Sequence, residues 1–346
     1  MKKSIIAIAV AAATLSATSV SAATVYEEGA NKVTIGGRLA VKAVHTESVG
    51  DTDSSTEMEN ASSRITFGFE HEMAPGWTAG AKAEWGYDAL ASGDQEFGNR
   101  LGNIYFKNDA VGAITVGKQW SAYYDVVSYT DVLWINGGSA SGAYDGQYGS
   151  GDAGTGRADD AITYRNSMGG LSVGLQYQFG DNEKYEGIEY KRHQGYQASL
   201  NYDFDFGLSM GAAFGSNSYK SEDNAQVMAF AAKYSSDALY LAAQYGQYEN
   251  HRKFDGKLKD AAKEATGYEL IAMYKMNGGE YQVYGGYNSI EDDNSSAELS
   301  YGVIGAAWVP GKVIFATEYK MGVTEKNTAG KDTGADQIAI LARYNF

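Results

Sequence analysis

The chain has no cysteine and only two prolines in 346 residues. Without cysteine it forms no disulfide and no thiolate metal or redox site. With so few prolines, almost every backbone N–H can donate, which suits strands that pair on both sides. Long apolar runs are missing too. Past residue 22 no stretch approaches the roughly 18–20 apolar residues of a membrane helix. Histidine is scarce, at four. His45 ends the first strand, His71 stands between Glu70 and Glu72, and His193 and His251 fall in loops. None has a metal-site or triad spacing. Basic residues are short as well: 28 against 43 acids, a net charge of −15. That argues against a nucleic-acid partner, whose phosphates demand a basic surface.

What is present begins with a leader. Lys2 and Lys3 precede a short apolar run from Ile5 to Leu15, and Val20-Ser21-Ala22 offers a small residue before a cut. Residues 1–22 read as a signal peptide and residues 23–346 as the exported barrel. Two lysines and no acids leave with the leader, so the mature charge is −17.

Glycine (43) and tyrosine (27) are abundant, and apolar residues alternate. In residues 337–346, Ile338, Ile340, Ala342, Tyr344 and Phe346 share one face, while Gln337, Arg343 and Asn345 share the other. Successive strand side chains point to opposite sides, so this is a strand with one apolar and one polar face. The same period runs through Val33 to Val41, Leu171 to Phe179, Tyr281 to Tyr287 and Val313 to Tyr319. An apolar outside, a polar inside and aromatics near the strand ends are what a transmembrane barrel needs.

Connections alternate between two kinds. Short turns fall at 75–76, 109–112, 168–170, 206–207, 235–237, 277–279 and 310–311. Longer polar loops cover 46–60, 89–98, 121–156, 182–194, 218–224, 249–264, 290–297 and 324–335. Fifteen connections join sixteen strands, with every long loop at one end. The chain reads as an all-β, sixteen-stranded antiparallel transmembrane β-barrel, and a barrel of that size leaves an aqueous channel. Ala79, Ala81 and Ala83, between Trp77 and Trp85, give one outer face a smooth strip that suits a subunit contact or, equally, an alanine-rich lipid face.

The loop 121–156 is the longest, and its first half is too apolar for open water: Tyr123, Tyr124, Tyr129, Leu133, Trp134 and Ile135. It is expected to fold back into the lumen, with Gly137, Gly138 and Gly142 permitting the bends. Strand parity sends Arg38, Arg64 and Arg157 inward, since an arginine facing lipid at mid-depth costs roughly 2–4 kcal/mol. Arg100 joins them, although its strand alternates poorly. Asp131 and Asp125 in the long loop are the acids expected to face this row across a transverse field. Two unit charges about 8 Å apart interact by roughly 0.5 kcal/mol in water and about 2 kcal/mol at an effective dielectric near 20. Such a field biases ion type rather than excluding one sign.

These residues carry a family resemblance. The start Ala23-Thr-Val-Tyr26 with Asn31-Lys32-Val33, then Gly117-Lys118, Tyr129-Thr130-Asp131, Gly137-Gly138, Thr163-Tyr-Arg-Asn-Ser167 and the terminal Tyr344-Asn-Phe346, resembles the trimeric general diffusion porins of Gram-negative outer membranes. The resemblance runs over essentially the whole mature length. It implies a homotrimer in the outer membrane, among lipid and lipopolysaccharide, passing ions and small hydrophilic solutes with no cofactor and no catalysis. It also implies a third loop inside the barrel, a basic wall of Arg38, Arg64, Arg100 and Arg157, and Asp131 as the first loop acid. The family's second loop acid falls on Ile135, a departure that weakens the negative side. Trp120 and Tyr124 take loop-base positions where the family often has tyrosines. The acidic chain leans the expected selectivity weakly toward cations, and Ile135 argues the other way.

Two further readings share parts of this pattern. The aromatics Trp120, Tyr123, Tyr124, Tyr129 and Trp134 would serve a substrate-selective porin for oligosaccharides as a stacking track, or else pack the loop on the wall. A structural or adhesive outer-membrane barrel has no need of inward arginines. Gly149-Ser-Gly151-Asp-Ala-Gly154 matches a dinucleotide fingerprint but lacks its strand–turn–helix setting. The acids of 51–59 lack the glycine and spacing of a calcium loop.

Overall fold

The computed structural model describes residues 22–144, 146, 149, 151–185, 188–220, 223–254 and 261–346. Apart from Ala22, the expected leader lies outside the described residues. The strand segments in chain order are β1 (Ala23–Glu28), β2 (Asn31–Thr46), β3 (Ser55–Asn60), β4 (Arg64–Ala74), β5 (Trp77–Gly86), β6 (Gly98–Asn108) and β7 (Gly112–Trp120). After a four-residue helix, α1 (Tyr124–Val127), come β8 (Arg157–Ala158), β9 (Ala161–Met168), β10 (Leu171–Gln178), β11 (Asp181–Tyr185), β12 (Ile188–Asp203) and β13 (Leu208–Tyr219). The rest are β14 (Ala225–Ser235), β15 (Leu239–Glu249), β16 (Glu264–Met276), β17 (Tyr281–Asp292), β18 (Glu298–Trp308), β19 (Val313–Lys326) and β20 (Gln337–Asn345).

These segments fill sixteen places in one closed antiparallel wall, because four places are shared by two segments each. β3 and β4 both pair with β2, β8 and β9 both pair with β7, and β10 and β11 both pair with β12. The fourth shared place closes the barrel. β20 pairs with the second half of β2 (Arg38 opposite Asn345) and β1 with the first half (Ala23 opposite Ile35). Gly37 and Phe346 exchange two backbone hydrogen bonds of 3.1 Å at the junction. The two ends of the wall thus complete one strand, and no open edge remains.

The turn between β1 and β2, at Gly29 and Ala30, is a short turn beyond the seven expected. Two loops are also shorter than expected. β3 occupies part of 46–60, and β11 pairs with the start of β12, Asp181 opposite Arg192, across the expected 182–194 loop. A ladder can continue past the lipid without apolar alternation, so alternation alone ends these strands too early. Both prolines sit in short turns, at 75 and 310, where no ladder donor is lost.

The outer surface carries the expected bands. On β12, Tyr196 and Tyr202 bracket Leu200, each about half exposed, while Gln197, Ser199 and Asn201 between them point inward and are buried. Tyr196 meets Tyr177 at 5.3 Å toward the long-loop end, and Tyr202 meets Phe204 at 4.7 Å toward the short-turn end. Amphipathic rings at both ends and aliphatic side chains between match a bilayer's two interfaces and core.

Candidate functional site

After β7 the third loop crosses the interior, seen in its described residues 121–144, 146, 149 and 151–156. The buried inner-face polar residues explain how. Gln176 accepts from the Ala122 N–H at 3.1 Å and Gln197 from the Tyr123 N–H at 2.9 Å. Glu269 of β16 accepts from Ala140 N at 2.8 Å and from the Thr130 hydroxyl. Glu318 of β19 accepts from Ile135 N at 3.0 Å and from Asn136 N at 2.7 Å. Tyr240 donates to the Tyr129 carbonyl at 2.6 Å, Tyr248 to that of Ala140 at 2.7 Å, and Trp134 to Gln282 at 3.0 Å. A loop has no ladder of its own, so the wall supplies the partners its buried backbone requires.

Packing completes the seat. α1 is too short to persist alone and has no side-chain cap. It is held because Tyr123, Val126 and Val127 are fully buried against β12 to β14, each apolar side chain contributing about 1.5–3 kcal/mol. Two glycines let the backbones touch. A Cβ on Gly142 (φ 70°) would lie 2.3 Å from the Tyr248 ring, and one on Gly267 would lie 2.5 Å from the Ala140 carbonyl oxygen.

Opposite the loop, arginines from neighbouring strands form an arc. It runs from Arg343 (β20) through Arg38 (β2), Arg64 (β4) and Arg100 (β6) to Arg157 (β8). Ser62, in the break between β3 and β4, has a left-handed backbone (φ 64°), and its carbonyl accepts from Arg38 at 3.0 Å and Arg64 at 3.3 Å. Arg100 explains its own poor alternation. The β5–β6 register slips between Glu84 and Trp85, so Arg100 occupies a β-bulge and turns inward beside buried Leu101. Glu84, not anticipated from sequence, lies within the arc. It accepts from Arg100 at 2.7 Å, pairs with Arg64 at 3.4 Å and accepts from Thr66 at 2.9 Å. Arg343 lies on the inward face that alternation predicts and extends the basic wall beyond the four expected arginines.

The arc meets the loop at two indoles. Arg157 lies 5.8 Å from the centre of the Trp120 ring, and Arg343 lies 5.6 Å from that of Trp134. Trp120 in turn stacks on Tyr124, with centroids 4.2 Å apart. Asp131 stands on the loop side, accepting from the Tyr124 hydroxyl at 2.6 Å and the Tyr144 hydroxyl at 2.7 Å. Burial, and then the Asp131 charge, push both phenols above the usual tyrosine range, so they stay donors.

Asp125 departs from the expected arrangement. Its side chain is 8 % exposed and pairs with Arg165 at 2.8 Å, while Arg165 also donates to the Trp120 carbonyl at 2.9 Å. It anchors the loop base and does not face the arc, because α1 turns it toward β9. Ile135 lies at the loop edge with its N–H committed to Glu318 and its side chain among apolar neighbours. Of the loop aromatics, Tyr123 and Tyr129 are buried against the wall and form no track along the lumen.

A closed barrel narrowed by an inward loop, with basic wall and acidic loop edge, defines a channel. The chain matches the Gram-negative porin family over residues 7–346 and belongs to it. It is a β-barrel channel of the outer membrane. It is 29% identical to outer membrane porin F of Salmonella typhi, with all of both chains covered. It is likewise 29% identical to outer membrane porin PhoE of Enterobacter cloacae over all of both. The structure of Salmonella typhi OmpF in complex with daunomycin superposes with a TM-score of 0.77, at 24% identity, covering 92% of this chain and 98% of that one. An anion-selective porin from Comamonas acidovorans shares the fold at a TM-score of 0.71 and 17% identity, covering 91% of this chain and all of the other.

Proposed function

We propose that ions and small hydrophilic solutes diffuse passively through the gap between the arginine arc and the loop edge formed by Tyr124, Asp131, Trp134 and Ile135. The observation that carries this is the seating of the third loop. Donors and acceptors from six or so wall strands fix it across the lumen, so it acts as a permanent collar. Arg38, Arg64, Arg100 and Arg157 line the wall, Asp131 supplies the opposing charge, and Trp120 and Tyr124 brace the loop base.

The same reading includes export with loss of residues 1–22, and assembly as a homotrimer among lipid and lipopolysaccharide. The alanine strip of β5 supports the trimer. Ala79, Ala81 and Ala83 lie beside the outward Phe67 and Phe69 of β4 and Ile104 and Phe106 of β6, and a second subunit fits closely over small side chains. Planar-bilayer recording tests the reading. Protein extracted from outer membranes should give conductance steps grouped in threes. Folded protein that conducts nothing would contradict it.

A further inference from the structure

The expected cation lean rested on the charge of the whole chain. The balance at the narrowing is the reverse. Of the arc's five guanidinium groups, only Arg64 and Arg100 pair with a carboxylate, and both share Glu84. Among the described residues, Arg38, Arg157 and Arg343 form no ion pair. On the loop side the single carboxylate at the edge among the described residues, Asp131, already receives two phenol hydrogens. Glu269 and Glu318 are buried beneath the loop and occupied by its backbone. The stretch Leu133-Trp134-Ile135 presents no charge at all.

We propose that the narrowing is an anion filter. It offers a transient site for small oxyanions (carboxylates, sulfonates, phosphates) at the unpaired guanidiniums of Arg38, Arg157 and Arg343, and Arg343 and Ile135 set its sign. This rests on the diffusion-channel reading. Guanidinium N–H pairs match the two oxygens of such an anion. The uncharged stretch Leu133-Trp134-Ile135 opposite lowers the local dielectric and strengthens the attraction. The indoles of Trp120 and Trp134, each already beside one of these arginines, give flat aromatic acids an added surface.

The test is the reversal potential of the full channel in a bilayer under a potassium chloride gradient. Wild type should reverse on the chloride side. Arg343→Gln and Ile135→Glu should each lower the chloride-to-potassium permeability ratio by at least about twofold, the scale expected for one charge at a hydrated narrowing. Arg343→Lys keeps the charge while changing the packing on Trp134, and should keep the anion preference. Millimolar benzene-1,3-disulfonate should reduce chloride current in wild type and less in Arg343→Gln. A wild-type reversal on the potassium side, or no shift in either charge variant, overturns the anion inference and leaves the channel reading standing. Folded protein without conductance overturns both.

Discussion

Arg343 of the last strand lies over the ring of Trp134 at the tip of the third loop, 5.6 Å from its centre. The contact ties the seam of the barrel to the collar inside it. A cation–π pair of this kind contributes about 0.5–2 kcal/mol, more where water is displaced. With the Trp134–Gln282 hydrogen bond, it fixes where the loop edge stands.

Trp134→Ala should therefore widen the opening. The expected result is a larger single-channel conductance with the barrel intact, read from bilayer records and from an unchanged far-ultraviolet spectrum. An unchanged conductance would mean that Trp134 does not border the path.

Glu318 and Glu269 should act as rivets. Removing either carboxylate leaves buried loop N–H groups without acceptors, at about 1–3 kcal/mol for each unsatisfied group. Glu318→Ala should release Ile135 and Asn136, and Glu269→Ala should release Thr130 and Ala140. Both variants should show a lower thermal transition and frequent brief closures. Quiet, wild-type-like traces from the double variant would show that packing alone holds the loop.

Glu84 and Arg64 are both buried, with side chains 2 % and 5 % exposed, and Arg100 is 17 % exposed. Breaking such a pair from one side costs roughly 3–5 kcal/mol, because the partner charge stays buried. Glu84→Gln should lower the thermal transition sharply, and Arg100→Gln in the same chain should recover part of the loss. Additive losses in this double-mutant cycle would show that Glu84 and Arg100 do not interact.

Asp131 and Asp125 should differ in access. The protein has no native cysteine, so an introduced thiol is the sole target for a charged methanethiosulfonate reagent. Asp131→Cys should react from the bath and change the conductance, whereas Asp125→Cys, behind the loop against Arg165, should react far more slowly. Equal rates would place both side chains at the lumen.

Much of this was readable in advance, for identifiable reasons. Period-two alternation is set by the lipid, so Leu39, Leu175, Ile304 and Ile340 announce their strands. Parity then delivers Arg38, Arg64 and Arg157 to the inside. Arg100 defeats parity because a bulge inserts one residue, which only its partner strand reveals. Glu84, Glu269 and Glu318 lie on inward positions of their strands, but nothing local says that a loop over 100 residues away in sequence will cover the last two. Arg165 stands in a legible motif, yet its partner Asp125 depends on the fold of α1. Contacts between distant segments carry no sequence period, and those contacts build the narrowing.

The most direct test of the central claim is the swelling rate of liposomes containing the protein in neutral sugars of increasing size. A fixed collar around an aqueous gap predicts rates that fall smoothly with size, do not saturate with concentration and ignore stereochemistry. Saturation, or a sugar passing faster than a smaller one, would contradict passive diffusion and point instead to a stacking track for a particular saccharide.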